Sequence, residues 1–379
     1  MQKVTRSHLV LGEPLPFSIF DENGRLLLRH GIVITMPDQI DRLLARGALR
    51  DELPDPAGAR YLPANQASPA QDKTPAFELM GTLMLNLKHV IGTVLKSPQQ
   101  IDVSARVRKM ALAIQDICLE DIDSALAAPC LDFQNPYIVV HQMMGAVLTE
   151  LIARRKAVVK EERLSMVCAA LTRDLGQMSM QMELDNTIGP LSPGLLSKMH
   201  QHPNLSRDIL VGCGVTDPIW LQAVLAHHER LNGSGYPAGL KAEQISLGAR
   251  ILAVADIYSA MEKPRPYRNK AHFPQNALKE IYLKKDAEID GEMAHILINQ
   301  IGLLPPGTIV KLKCGEIAVI KSPTVKAEGA TVYSIYGKSG MVLSEPMLRD
   351  TAQPGYEITG LLPYSECRSA SVMIKRVWA

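Results

Sequence analysis

The sequence predicts a mainly α protein, in which a central all-α domain follows a small α+β module and precedes a small β-rich segment. Three observations predict this class. Apolar residues recur three and four positions apart through residues 76–302, as in helices that bury one face. Residues 1–50 and the residues after Pro305 instead show alternating apolar positions bounded by glycine and proline, which is typical of strands. Residues 51–75 are rich in proline, alanine and polar side chains and are typical of a linker.

The elements follow from these patterns. In residues 1–50, PFSIFD and RLLLRHGIVI flank turn residues and predict a hairpin, and MPDQIDRLLARGAL predicts a short helix ending near Gly47. The helices predicted in residues 76–302 lie in FELMGTLMLNLKHVIGTVL, VSARVRKMALAIQDI, IVVHQMMGAVLTELIARR, EERLSMVCAALTRDL, PGLLSKMHQHPNLSRDIL, PIWLQAVLAHHE, ARILAVADIYSAM, FPQNALKEIYLK and GEMAHILINQIG. The strands predicted in residues 303–379 lie in TIVKLKCGEIAVIKS, ATVYSIYG and MVLSEPML.

Composition narrows the classes of function. The chain has 379 residues, enough for two or three domains, with 46% hydrophobic and 21% charged residues. A formal net charge of +2 argues against bulk nucleic-acid binding. The six cysteines form no CxxC pair, as expected of reduced thiols, and no apolar run reaches the roughly 20 residues that span a bilayer. We therefore expect a cytoplasmic protein without a membrane span.

Ionisable residues occupy positions where apolar packing is expected. Asp256 lies inside ILAVADIYSAM, Asp174 closes LSMVCAALTRD, and His141 lies in PYIVVHQMMGAVL. Each such residue alone is ordinarily explained by packing, by a helix cap or by an arginine partner. A buried carboxylate nevertheless needs a cation, and six residues with metal-binding side chains fall in successive predicted helices. These candidate ligands are His141, Asp174, His202, His227, His228 and Asp256. Two divalent ions bridged by a carboxylate would use such a set.

A glycine-rich turn follows the histidine pair in AHHERLNGSGYPAGL. Gly233, Gly235 and Pro237 prevent the helix from continuing and predict a tight loop. That loop would hold Tyr236 beside the histidines. A histidine pair alone is a weak signal of a metal site, whereas the full pattern HHExxxGxGYP is a strong one.

HHERLNGSGYP resembles the signature of the HD-GYP family, a branch of the HD-domain metal-dependent phosphohydrolases that is associated with hydrolysis of the bacterial second messenger cyclic di-GMP. The resemblance covers roughly residues 130–302. It extends to HQHPNLSRDIL, to PYIVVHQMMGAVL and to ARILAVADIYSAMEKPRPYR, which is similar to the family's ADxxDAM…RPYR segment. The flanking segments also resemble modules found beside this domain. The resemblance implies an HD-type helical domain in which the six candidate residues bind metal.

The resemblance also implies roles for further residues. Asp174 and Glu229 are the implied catalytic residues. The residues implied to contact the ligand are Arg173, Gly235, Tyr236, Pro237, Arg265 and Arg268. Cyclic di-GMP is the implied ligand, and a diguanylate cyclase or another signalling protein is a further candidate partner. The sequence leaves open whether the chain forms a homodimer.

The chain departs from the family pattern in the HD motif, which gives the family the first part of its name. HDxGK is expected, but the chain has Arg173-Asp174-Leu175-Gly176-Gln177, so that a histidine ligand has become arginine and a lysine has become Gln177. Asn232 and Ser259 stand where the family has aspartate, and Ser206 where glycine is usual.

Arginine cannot bind a metal, because it stays protonated and has no lone pair to offer. We therefore expect one divalent ion, Fe, Mn, Zn or Ni, rather than two. Arg173 could replace the missing cation beside Asp174 and Asp256, or it could bind a phosphate of the ligand. The main hypothesis is a cyclic di-GMP phosphodiesterase of reduced activity. The alternatives are an inactive cyclic di-GMP receptor or a protein-interaction module.

Overall fold

The computed structural model describes residues 2–9, 15, 19–21, 26–28, 34, 37–45, 48–50, 74–96, 101–187, 189–261, 273–322 and 329–378. The chain forms two compact units, Met1–Gln71 and Asp72–Ala379. The mainly α class predicted from the sequence, with small sheets toward both ends, is confirmed. The division into a module, a linker, a helical domain and a β-rich segment at residues 50, 75 and 302 stays a prediction.

The first unit is a small α+β module. Its elements are β1 (Gln2–Lys3), β2 (Ile19–Phe20), β3 (Leu26–Leu28), α1 (Pro37–Ala45) and β4 (Leu49–Arg50). The strands form an antiparallel sheet in the order β1-β4-β2-β3, so the predicted hairpin is present as β2 and β3. A small aliphatic core that includes Ile19, Ile34 and Ile40 holds the unit together.

Helices dominate the second unit. They are α2 (Ala76–Lys96), α3 (Val103–Glu120), α4 (Ile122–Cys130), α5 (Tyr137–Arg155), α6 (Lys160–Thr172), α7 (Gln181–Asn186), α8 (Pro193–Gly212), α9 (Pro218–Ala226), α10 (Leu247–Met261), α11 (Pro274–Lys284), α12 (Gly291–Ile301) and α13 (Ser371–Val377). The sequence patterns did not predict α4, α7 and α13. In the described part of the chain, no helix is both long and apolar enough to cross a membrane.

Local sequence signals explain where several of these helices begin. The Asp102 carboxylate accepts a hydrogen bond from the Ala105 amide at the start of α3, and Asp290 caps α12 in the same way. Asp217 caps α9 by accepting from the amides of Ile219 and Trp220. Proline occupies the first position of α8, α9 and α11, where its missing N–H costs nothing.

Helix α5 lies at the centre of the second unit. Every residue from Ile138 to Ala153 is buried, because α6, α10, α4 and α3 all pack against it. Most of α10 is also buried. Polar side chains on α5 and α10 therefore face protein interior, where they need partners.

The C-terminal part of the second unit is a five-stranded antiparallel sheet. Its strands are β5 (Ile309–Leu312), β6 (Ile317–Ile320), β7 (Thr331–Tyr336), β8 (Val342–Asp350) and β9 (Ile358–Leu362), in the order β8-β7-β6-β5-β9. The strands predicted in residues 308–348 are present as β5 to β8, and β9 was not predicted. This segment shares the core of the helices: the rings of Phe77 and Trp378 stack with centroids 5.2 Å apart.

Candidate metal centre

The six candidate ligands meet at one place, although they come from five segments of the chain. His141 lies on α5, Asp174 follows α6, and His202 lies in the middle of α8. His227 and His228 follow the last residue of α9, and Asp256 lies on α10. All six side chains are largely buried, with His228 the most exposed at 17%. The structure thus brings together the whole set that the sequence singled out.

Contacts between α6, α8 and α9 fix this convergence. The Trp220 indole N–H donates to the Thr172 hydroxyl at 2.8 Å, which joins α9 to the end of α6 beside Asp174. On the other side, the Gly176 amide donates to the Ser206 hydroxyl at 2.8 Å. A Cβ at position 176 would lie 2.4 Å from the His202 carbonyl oxygen, so glycine is required for α8 to approach. Ser206, an unusual residue for the resembled family, therefore has a structural partner here.

The imidazoles of His202 and His227 are oriented for metal binding. Their Nδ1 atoms lie 2.6 Å and 2.7 Å from the carbonyl oxygens of Met199 and Val224. A carbonyl can only accept, so each Nδ1 carries the hydrogen and each Nε2 presents a lone pair. The two Nε2 atoms lie 3.3 Å apart. Asp174 Oδ1 lies 3.4 Å from Nε2 of His202 and 3.8 Å from Nε2 of His227. Electron-pair donors that face one another in this way fit a bound cation.

His227 and His228 stay neutral at this site. Burial lowers the pKa of His227 to about 4, and the neighbouring His202 adds to this shift. Burial, with the adjacent His227, also holds the pKa of His228 well below its usual value. Neutral imidazole is the form that binds metal. One donor atom from each of Asp174, His202, His227 and His228 lies within 4.8 Å of the others, and these four residues form the first candidate site.

A second group of possible ligands, His141, Asp174 and Asp256, already holds the Arg173 guanidinium. Arg173 Nε lies 3.0 Å from Asp256 Oδ1 and 3.5 Å from Asp174 Oδ2. Its Nη2 lies 2.9 Å from His141 Nε2, and its Nη1 donates to the Ala170 carbonyl at 2.6 Å. Arg173 has no exposed surface. These contacts place the guanidinium as an internal counter-ion and turn its donors toward protein groups.

The guanidinium and the histidines together keep both carboxylates ionised. Burial on its own would raise the pKa of Asp174, but the charge of Arg173 and the contacts with His202 and His141 together outweigh burial and hold that pKa well below its usual value. Burial acts on Asp256 in the same direction, and the contacts with His141 and Arg173 again lower its pKa. Two carboxylates and one guanidinium leave one negative charge beside the histidines. The donor set therefore fits one divalent ion at Asp174 and the three histidines.

The loop after the histidine pair packs against the site. A Cβ on Gly235 would lie 2.4–2.5 Å from backbone atoms of residues 228–230, so only glycine fits there. The Tyr236 amide donates to the His228 carbonyl at 3.2 Å. The Tyr236 ring stacks on His228 on one side (4.6 Å) and on His200 on the other (4.2 Å). The predicted proximity of Tyr236 to the histidines is present, and the peptide bond to Pro237 is cis.

Glu229 has the contacts of a loop anchor. Its Oε1 accepts from the Ala238 amide at 2.7 Å and its Oε2 from the Leu240 amide at 2.9 Å. Both carboxylate oxygens thus hold the far end of the loop, and the residue is 2% exposed. The catalytic role that the resemblance implied for Glu229 stays a prediction.

The other departures from the family have local partners. The Ser259 hydroxyl lies 3.4 Å from Arg173 Nη2, and the Asn232 side-chain oxygen accepts from the Ser234 amide at 3.0 Å. The side-chain Nε2 of Gln177 donates to the side-chain Oε1 of Gln181 at 3.2 Å. Arg265 and Arg268, the predicted phosphate contacts, lie outside the described residues.

Two aromatic neighbours of the ligands were not predicted from the sequence. Tyr137 stacks on His141 with ring centroids 5.2 Å apart, and its position four residues earlier on one helix could have revealed it. His200 stacks on Tyr236, and its spacing from His202 in MHQHP gave no comparable signal.

Comparison with known proteins agrees with this geometry. Residues 127–293 match the model of the HD domain family. The chain is 28% identical over 226 residues to the cyclic di-GMP phosphodiesterase PA4108 of Pseudomonas aeruginosa, covering 59% of this chain and 53% of that protein. It is 32% identical over 210 residues to the 3'3'-cGAMP-specific phosphodiesterase 3 of Vibrio cholerae, covering 54% and 45%. Residues 127–293 of this chain form an HD domain, and its similarity to these cyclic dinucleotide phosphodiesterases supports the HD-GYP family.

Two further matches bear on the HD domain of this chain. The response regulator RpfG of Xanthomonas campestris pv. campestris, a cyclic di-GMP phosphodiesterase, is 33% identical over 150 residues, covering 39% of each chain. The solved structure of Bd1817, a HDG"Y"P protein from Bdellovibrio bacteriovorus, matches with a TM-score of 0.51 at 14% identity over 78% of this chain and 98% of that chain. At this identity the structural match shows the fold alone. The chain spans about half the length of the first two curated relatives.

Proposed function

We propose that this chain binds cyclic di-GMP at a centre with one divalent ion and hydrolyses it slowly. The observation that carries the proposal is the Arg173 guanidinium, which lies between Asp256, Asp174 and His141 where a second ion would need the same oxygen and nitrogen atoms. The cyclic di-GMP assignment is supported by the names of the relatives PA4108 and RpfG.

The donor set favours a late transition metal. Three imidazoles and one carboxylate suit Fe, Mn, Zn or Ni better than Mg or Ca, which prefer oxygen ligands. An ion held by Asp174, His202, His227 and His228 would polarise a phosphoryl oxygen and acidify water. The chain's own contribution is to orient two of these imidazoles through the carbonyl oxygens of Met199 and Val224.

Slow turnover follows from what Arg173 can and cannot do. Its fixed charge compensates one of the two negative charges of Asp174 and Asp256, as a cation at this position would. It cannot acidify water, and its hydrogen bonds to Asp256 and to the Ala170 carbonyl turn its donors away from a ligand. Loss of one group that stabilises transition-state charge commonly costs about 10²–10³ in rate. We infer that hydrolysis is reduced by at least this factor relative to a two-metal centre.

A receptor without turnover is the second candidate. The complete burial of Arg173 favours this candidate. A guanidinium held in the protein interior does not move aside to let a second metal ion bind. In this form the ion and the loop around Tyr236 would bind the phosphodiester and no more. Docking of a diguanylate cyclase or another signalling protein, and formation of a homodimer, stay predictions.

Calorimetric titration with cyclic di-GMP, followed by chromatography of the same samples, tests the proposal. The experiment uses protein purified without chelator, and 3'3'-cGAMP serves as the competing ligand. We expect saturable binding of cyclic di-GMP with little conversion to a linear product. His227→Gln should abolish binding, and His295→Gln, a change at an exposed histidine, should not. Failure of metal-loaded protein to bind either cyclic dinucleotide would contradict the proposal, as would rapid turnover.

A further inference from the structure

One wall of the space that holds the Arg173 guanidinium is formed by Gly145 on α5. A Cβ atom at position 145 would lie 2.6 Å from Nη1, 2.9 Å from Nη2 and 3.0 Å from Cζ of Arg173. Carbon and nitrogen atoms in contact lie about 3.5–4.0 Å apart, so even a methyl group would overlap the guanidinium. An alanine at this position would push the guanidinium out of its place.

The guanidinium has no free direction in which to move. Its Nε donates to Asp256, its Nη1 to the Ala170 carbonyl, and its Nη2 contacts His141 and Ser259. The side chain is 0% exposed. A displacement large enough to clear a methyl group would therefore break these hydrogen bonds and leave buried carboxylates without their cation.

Backbone conformation does not explain a glycine at position 145. The residue lies inside α5, between Ile138 and Ala153, and has ordinary helical geometry. Glycine inside a helix is less stable than alanine, because it loses more backbone entropy on folding. The position therefore carries an unfavourable helix residue, and the room needed by Arg173 accounts for it.

We propose that Gly145 is the positioning residue that reserves the cation position between His141, Asp174 and Asp256 for Arg173 and thereby holds the centre to one metal ion. It acts through Arg173 and has no contact with a ligand. The inference rests on the proposed function for the number of ions. The steric coupling between Gly145 and Arg173 is a property of the folded chain alone and can fail or hold separately.

The test is a double-mutant cycle on protein kept in chelator, with the thermal unfolding midpoint as the readout. Gly145→Ala is made in the natural chain and in the Arg173→His variant, which lacks the guanidinium atoms that a Cβ at position 145 would overlap. Gly81→Ala and Gly92→Ala on α2 are matched controls, because a Cβ at either helix position meets nothing within 4 Å. These controls should raise the midpoint or leave it unchanged.

We expect Gly145→Ala to lower the midpoint in the natural chain only. Gly145→Ala should lower the midpoint of the natural chain by roughly 5 °C or more, since it breaks buried ion pairs. In Arg173→His the same change should behave like the α2 controls. A rise in the natural chain, or an equal drop in both backgrounds, would overturn the coupling. If Gly145→Ala alone does not fold, folding of the double variant supports the coupling, and failure of the double variant overturns it.

Metal content by mass spectrometry supplies the second readout. Arg173→His and the Arg173→His, Gly145→Ala double variant should both carry two ions per chain, because an alanine at position 145 does not crowd a histidine. A double variant with fewer ions than Arg173→His would overturn the proposed role of Gly145. Two ions in the natural chain would refute the single-ion function while leaving the measured coupling intact.

Discussion

Replacement of Arg173 by methionine removes the guanidinium but keeps a side chain of similar length. Asp256 and Asp174 then remain buried, with side-chain exposures of 8% and 3%, and their nearest positive charge is gone. The substitution also removes the 3.0 Å hydrogen bond to Asp256 and the 2.6 Å hydrogen bond to the Ala170 carbonyl. Removal of one partner of a buried ion pair costs about 3–5 kcal/mol, because the remaining charge is left uncompensated.

We therefore expect Arg173→Met to lower the free energy of unfolding by about 3–5 kcal/mol in the presence of chelator. Urea unfolding followed by circular dichroism measures this change, with the slope of the transition checked for constancy. Arg207→Met is the matched control, since Arg207 pairs with Asp208 at 2.7 Å on the surface, where both side chains are at least 40% exposed. The control should cost about 1 kcal/mol or less.

Divalent metal should restore part of this stability in Arg173→Met. The variant frees His141, Asp174 and Asp256, whose donor atoms lie within 4.8 Å of one another, to bind an ion. At 100 times its dissociation constant an added ion stabilises by about 2.7 kcal/mol. The reasoning is refuted if Arg173→Met costs no more than Arg207→Met, or if the variant gains no more stability from metal than the natural chain.

Three further predictions concern the same centre. Arg173→His should raise the metal content, measured by mass spectrometry, from one to two ions per chain. Adding Gln177→Lys to this variant should raise the rate of cyclic di-GMP hydrolysis. Unchanged metal content in Arg173→His would contradict the single-ion account. Glu229→Gln should lower the free energy of unfolding, measured by thermal unfolding, by about 1–3 kcal/mol. The reason is that the side-chain NH₂ group of glutamine cannot accept the hydrogen bond from the second loop N–H. An unchanged free energy of unfolding would show that other contacts anchor the loop. Metal-free protein should lose stability as pH falls from 7 to about 4. The reason is that His227 is protonated near pH 6.5 in the unfolded chain and only near pH 4 in the folded chain. His227→Gln should flatten this pH dependence of stability, and an unchanged slope would contradict the assigned pKa.

The sequence predicts those helices in which apolar residues recur with helical periodicity. The long helices α5, α8 and α10 have apolar patterns that a sequence shows directly. Helix α13 was missed because it is short and the basic residues Lys375 and Arg376 interrupt its apolar positions, whereas Met373 and Trp378 are buried in the core. Burial of that helix depends on packing against α2, which no local pattern reveals.

The site divides in a similar way. The ligand residues could be named because ionisable side chains stood in apolar helices, and the replacement at Arg173 was visible in the sequence. Which of two roles Arg173 has, counter-ion or phosphate contact, depends on α5 and α10, which supply His141 and Asp256. Gly145 gave no signal, because its function is to leave space for a residue 28 positions later in the chain. Tertiary coordinates were needed for both.

Metal content per chain is the measurement that tests the central claim most directly. Protein purified without chelator is analysed by inductively coupled plasma mass spectrometry, and X-ray absorption on the same sample identifies the ligands. We predict one late transition metal ion per chain with imidazole-rich coordination and no metal–metal distance. Two ions per chain, with a second ion close to the first, would contradict the assignment of Arg173 as the resident cation.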